Sequence, residues 1–97
     1  MKRIEKIVLS VIGSLGEELK IENLKNPSLT TKLFSKNLDS MGVVLLVAEL
    51  EDEIAEEYDL DIAIADERAM SQKTSPFKTT VTLIKYLELL IDEQNSS

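Results

Sequence analysis

The sequence contains neither cysteine nor histidine. Without cysteine the chain has no disulfide, no thiolate nucleophile and no thiolate metal site of its own. Without histidine it lacks the commonest general base and the commonest transition-metal ligand. No nucleophile–base pair is left to assemble, so the chain reads as a non-enzyme. Aromatic residues make up only 4% of it, so a core has to be aliphatic. The three glycines stand apart from one another, which excludes a phosphate-cradling glycine loop. No apolar run is long enough to span a bilayer. Net positive charge is absent as well. A formal charge of −7 argues against nucleic acid or anionic lipid as a partner, because both select Lys/Arg patches.

What is present fits one domain: 97 residues, near the lower end of what a single core sustains. Residues 1–36 carry seven basic and four acidic side chains, net +3. Residues 37–97 carry four basic and fourteen acidic ones, net −10. The second part therefore offers an acidic surface suited to a basic partner. Met1, Lys2 and Arg3 ahead of an apolar stretch have the outline of a signal peptide. Glu5 and Lys6 interrupt it, and no small-residue cleavage site follows, so a cytoplasmic location is expected.

Ile4, Ile7, Val8, Val11, Ile12, Leu15 and Leu19 recur with i, i+3, i+4 spacing, which predicts an amphipathic helix over about 3–18. Gly13 and Gly16 weaken its last turns, and Asn26-Pro27 marks loop. Residues 20–39 have no period yet keep Ile21, Leu24, Leu29, Leu33, Phe34 and Leu38. A loop that long is expected to be tied down across the core and to carry function. A second helix is predicted over 40–58, burying Val43, Leu46, Val47, Leu50, Ile54 and Tyr58. Asp59 to Ile64 alternates polar and apolar residues but has no partner strand, so it reads as extended loop anchored by Leu60, Ile62 and Ile64. A short helix is expected at 66–70, capped by Asp66. The last helix is expected over 79–93, with Ser75-Pro76 as an alternative start. It should bury Leu83, Ile84, Leu87, Leu90 and Ile91, and Gln94 to Ser97 should fray. The expected fold is an all-α four-helix bundle, three long helices and one short, with a long first loop.

Asp39-Ser40 opens the second helix. Both types are favoured N-caps, so the pair taken alone marks a helix start and nothing more. A hydroxyl there nevertheless faces free backbone N–H groups and the positive end of the helix dipole, which favour an attached phosphate. Around it Met41, Val44, Leu45 and Ala48 point away from the buried stripe. Either another layer of the chain covers them or they form a docking surface, and their place beside Ser40 favours docking. Further along, Glu49, Asp52, Glu53, Glu56 and Glu57 set like charges at i, i+4, which suits attraction of a Lys/Arg-rich surface. Asp59-x-Asp61 with Asp66-Glu67 superficially resembles the start of a calcium loop. It lacks the central glycine and terminal glutamate, so no metal site is expected.

Leu38-Asp39-Ser40-Met41 before an amphipathic helix, Leu33-Phe34 in the preceding loop, an acidic helix end and Ser75-Pro76-Phe77 leading into the last helix together resemble the acyl carrier proteins. The resemblance covers nearly the whole chain. It implies that a phosphopantetheinyl transferase moves 4′-phosphopantetheine from coenzyme A onto Ser40. The arm's thiol then carries acyl groups as thioesters, which accounts for a chain with no cysteine of its own. By the same resemblance Asp39 helps position the modification, Met41 and Val44 match apolar recognition positions, and Glu49, Asp52 and Glu53 lie among the acidic ones. Val43, Leu46, Val47, Ile64 and Leu87 would line any shelter for the acyl chain. The sequence departs from the family's pattern in a second helix about a turn longer, in an extended segment from Met70 to Phe77, and at three single residues. Asn37 replaces a usual glycine two residues before Asp39, acceptable because Asn tolerates positive φ. Gly42 and Leu45 stand where housekeeping fatty-acid carriers usually have acidic residues. Asp39-Ser40-Met41-Gly42 and Ser75-Pro76-Phe77 look more like D-alanyl and other specialised carriers. The expectation is a monomeric carrier in a specialised pathway, such as lipopolysaccharide, other cell-surface polysaccharide or secondary lipid biosynthesis. Its partners would be synthases or acyltransferases with basic surfaces. The alternatives are an aminoacyl carrier loaded by an adenylating ligase and, from another class, a helical interaction module in which Ser40 is only a cap.

Overall fold

The computed structural model describes residues 3–34, 37–62, 64 and 77–96, with 40, 95 and 96 described by backbone alone. Four helices lie in that range: α1 (Ile4–Leu19), α2 (Glu22–Lys25), α3 (Ser40–Tyr58) and α4 (Thr80–Ser96). Three are long and one is short, and among the described residues there is no strand. This small all-α bundle is consistent with an acyl-carrier-like fold.

α1 is the hub. It packs against α2, α3 and α4, and its face Ile4, Ile7, Val8, Val11, Ile12 and Leu15 is buried. Leu46, Val47, Leu50 and Ile54 of α3 meet it, with Val43 and Tyr58 only partly covered at the margin. α4 contributes Leu83, Ile84, Leu87, Leu90 and Ile91, and also Tyr86. The core is aliphatic, as so few aromatic residues require. Leu19 departs from expectation. It is the last residue of α1 and is exposed rather than buried.

The first loop holds more structure than its lack of period suggested. α1 ends in a left-handed residue, Lys20 (φ 59°, ψ 43°), with Lys20 N–H donating to Glu17 O and Ile21 N–H to Gly16 O. That is a Schellman stop. The reversed chain then makes the single turn α2 and drops Leu24, fully buried, onto α1. Gly16 permits the crossing, since a Cβ there would lie 2.7 Å from backbone and side-chain atoms of Leu24.

Beyond α2 the loop is tied to the start of α4. Leu33 N–H donates to Lys78 O and Phe34 N–H to Phe77 O, while Thr80 N–H returns to Thr31 O and Val81 N–H to Leu29 O. Lys32 and Thr79 form an antiparallel bridge within this clasp. Thr79 and Thr82 then cap α4 reciprocally, Thr79 N–H donating to Thr82 Oγ1 and Thr82 N–H to Thr79 Oγ1. α4 therefore starts at Thr80, preceded by non-helical backbone from Phe77 to Thr79, and Ser75-Pro76 is not its start. At the other end the helix runs to Ser96, beyond the Glu93 expected, because no glycine or proline stops it. The short helix expected at 66–70 lies outside the described residues. In the segment 59–64, Ile62 and Ile64 are buried, and Ile64 N–H donates to the Glu51 carboxylate at 2.9 Å.

Candidate functional site

The site is built at the start of α3. The chain arrives through Leu33–Leu38, where Asn37 N–H and Leu38 N–H both donate to Leu33 O at 2.9 Å. Leu38 is buried, and its side chain lies against the position a Cβ on Gly42 would fill. Asp39 follows in extended backbone and serves as N-cap, accepting the Gly42 N–H on Oδ1 at 2.8 Å. Ser40 is thereby the first helical residue of a 19-residue helix with no acidic residue in its first turn. The positive end of its dipole is offset by Asp39 and by no carboxylate within that turn.

Beside this helix start lies an apolar surface. Met41 is 68% exposed, Val44 58% and Leu45 41%, and Ala48 is exposed one turn on. Phe34, in the preceding loop, is 40% exposed and bridge-paired with Leu38. Phe34 was expected to help tie the loop down across the core and stands exposed instead.

Past Ala48 the outer side of α3 turns acidic, with Asp52 and Glu56 exposed and Glu49, Glu53 and Glu57 partly covered. The Glu49 carboxyl is held above its ordinary value, first by partial burial and then by the negative fields of Glu18, Glu53 and Asp52. Glu18 belongs to α1, so the acidic edge spans two helices, a juxtaposition that no local pattern encodes. Among the described residues no group of three or more Asp or Glu is arranged to hold a metal ion. Asp66 and Glu67 lie outside the described residues. No described helix is long and apolar enough to cross a membrane.

Of the residues expected to shelter a cargo, Leu46, Val47, Ile64 and Leu87 are buried in the common core and Val43 packs at its edge. Open grooves lie elsewhere among the described residues. One, of about 450 Å³, runs along Ser10, Gly13, Ser14 and Pro27; another, of about 510 Å³, lies between Arg3, Tyr58 and Asp92. Asn37 is anchored by its side chain, donating from Nδ2 to Lys32 O at 2.6 Å and accepting from Asn23 Nδ2 at 3.2 Å. Among the described residues positive φ is recorded at Lys20 and Asp59.

Comparisons with protein-family models, with curated proteins and with solved structures found no match.

Proposed function

We propose that the chain is a carrier of the acyl-carrier type, with Ser40 as the attachment point of 4′-phosphopantetheine and no catalysis of its own. The observation that carries the reading is the construction of the α3 start. Asp39 caps the helix, Ser40 opens it, and the apolar residues Met41, Val44 and Leu45 stand exposed beside that opening. A phosphodiester at the N-terminus of a long helix is favoured by the dipole and by first-turn N–H groups. An apolar surface at the same place gives a partner enzyme something to desolvate.

The attachment is a displacement at phosphorus. The Ser40 oxygen bonds to the phosphorus bearing pantetheine, and the pyrophosphate bond of coenzyme A breaks. 3′,5′-Adenosine diphosphate leaves, and the hydroxyl proton passes to a base of the transferase. Once attached, the arm supplies the thiol that the chain lacks, and acyl groups travel on it as thioesters. The role proposed is in a specialised cytoplasmic pathway of cell-surface polysaccharide or secondary lipid synthesis. Partners would place apolar residues over Met41, Val44 and Leu45 and basic ones over Glu49, Asp52 and Glu53. The reading is tested by incubating the protein with coenzyme A, magnesium and a broad-specificity phosphopantetheinyl transferase and weighing the product. Purified adenylating ligases offered fatty acids or amino acids then separate an acyl from an aminoacyl cargo.

A further inference from the structure

We infer that Asn37 is a positioning residue for Ser40, fixing the approach to α3 through hydrogen bonds of its side-chain amide. The inference rests on Ser40 being the modified residue. Its structural basis is independent of that. Asn37 stands three residues ahead of Ser40 and is the meeting point of three pieces of chain. Its Nδ2 donates to Lys32 O at 2.6 Å, on the segment clasped to α4. Its Oδ1 accepts from Asn23 Nδ2 at 3.2 Å, on α2. Its own N–H donates to Leu33 O, which the Leu38 N–H also reaches.

The orientation of the amide follows from chemistry. Lys32 O can only accept, so the NH2 group must face it, and the oxygen is left to Asn23. Only Asn meets both demands at this length. Asp keeps the acceptor but sets a charge against a carbonyl, and Gly or Ala supplies neither bond. Immediately afterwards Leu38 is seated against Gly42 and Asp39 caps it. The path from Asn37 to the first turn of α3 is therefore a run of hydrogen bonds and one close apolar contact. Each hinders rotation of the backbone that presents Ser40. Loss of the amide loosens that path without removing any residue of the apolar docking surface.

The effect belongs in the turnover step. A group misplaced by a fraction of an ångström to an ångström loses roughly ten- to a hundredfold in rate while docking is retained. Transferase kinetics should be measured for the wild-type protein, Asn37→Ala, Asn37→Asp and Asn23→Ala, together with amide hydrogen exchange. The expected result is a roughly tenfold or greater fall in kcat for both Asn37 variants, KM little changed, and a smaller fall in the same direction for Asn23→Ala. Exchange should accelerate at Leu38 and Gly42 while Ile12 and Leu15 in α1 keep their protection. Unchanged kcat in Asn37→Ala overturns the inference, as does a uniform loss of protection across α1 and α3, which marks a purely structural role. If the wild-type protein accepts no prosthetic group, the reading of Ser40 fails by itself. Exchange at Leu38 and Gly42 still decides whether Asn37 orders the approach to α3, and unaltered exchange there refutes it.

Discussion

Leu38 and Gly42 exclude a side chain between them: a Cβ at position 42 would stand 2.8 Å from Leu38 Cδ2 and 3.2 Å from Leu38 Cβ. Leu38 precedes the N-cap and is 3% exposed, so it cannot swing aside without opening the core. Position 42 is the third residue of α3, where helices often place a Glu or Gln in a capping box. Here the space belongs to Leu38, and the helix start is apolar instead of acidic. The absence of a larger side chain at this position thus has a packing cause.

Gly42→Ala should destabilise the protein. The gain in helix propensity, about 0.5–1 kcal/mol, is smaller than the roughly 1–3 kcal/mol for forcing extra atoms into a packed site. In a Leu38→Ala background the obstruction is gone, and Gly42→Ala should raise stability. Denaturant melts of the four proteins in this cycle test the coupling. Equal effects of Gly42→Ala in both backgrounds contradict it.

The two glycines of α1 should behave in opposite ways. At Gly16 a Cβ would meet Leu24 C at 2.7 Å and Lys25 N at 2.8 Å, and backbone cannot yield cheaply. Gly16→Ala is expected to cost about 3 kcal/mol, the upper end for overpacking. At Gly13 the nearest atoms are 3.5 and 3.7 Å away, so Gly13→Ala should stabilise by about 0.5–1 kcal/mol. Thermal melts of the two variants are expected to shift in opposite directions.

Removing the Asp39 cap should cost about 1 kcal/mol in Asp39→Ala, whereas Asp39→Asn keeps an oxygen for the Gly42 N–H and should retain most of the stability. Attachment of phosphopantetheine separates the two roles of this residue. A rate that falls only in Asp39→Ala points to the cap. A rate that falls equally in Asp39→Asn points to the negative charge.

Glu49 makes stability depend on pH in a direction opposite to that of a paired carboxylate. Its pKa in the fold is raised above the ordinary 4.5 by burial and by Glu18, Glu53 and Asp52. The folded state therefore holds the proton more tightly than the unfolded one. This contribution is present in full below the unfolded value and is lost as pH rises through the folded one. Glu49→Gln should raise the melting temperature at neutral pH and have little effect below 4.5. Each like-charge pair relieved within α3, with Asp52 or Glu53, is worth about 0.2–0.5 kcal/mol. Added salt should stabilise the wild type more than the variant. A larger gain at acidic than at neutral pH contradicts this account.

The parts of the fold that repeat were legible from the chain. Helical spacing located α1, α3 and α4 because each buries one face, and Asp39 marked the start of α3 because a cap is a local event. The non-periodic parts were not. Lys20 takes the left-handed position where glycine is the usual signal, so the turn into α2 carried no mark in the sequence. Gly16 was legible as a weak helix former but not as the point where Leu24 crosses. Of the candidate site, the exposed faces of Met41, Val44 and Leu45 followed from the period of α3. The anchoring of Asn37 by Asn23 joins residues 14 apart through a loop, and no local pattern encodes such a bond.

The central claim is that Ser40 accepts a phosphopantetheine group. Intact mass after reaction with coenzyme A, magnesium and a broad-specificity transferase tests it most directly, with fragmentation to locate the added group. The expected product carries one added phosphopantetheine on the peptide containing Ser40, and Ser40→Ala lacks it. An unchanged mass in correctly folded wild-type protein, or an addition that persists in Ser40→Ala, would contradict that claim.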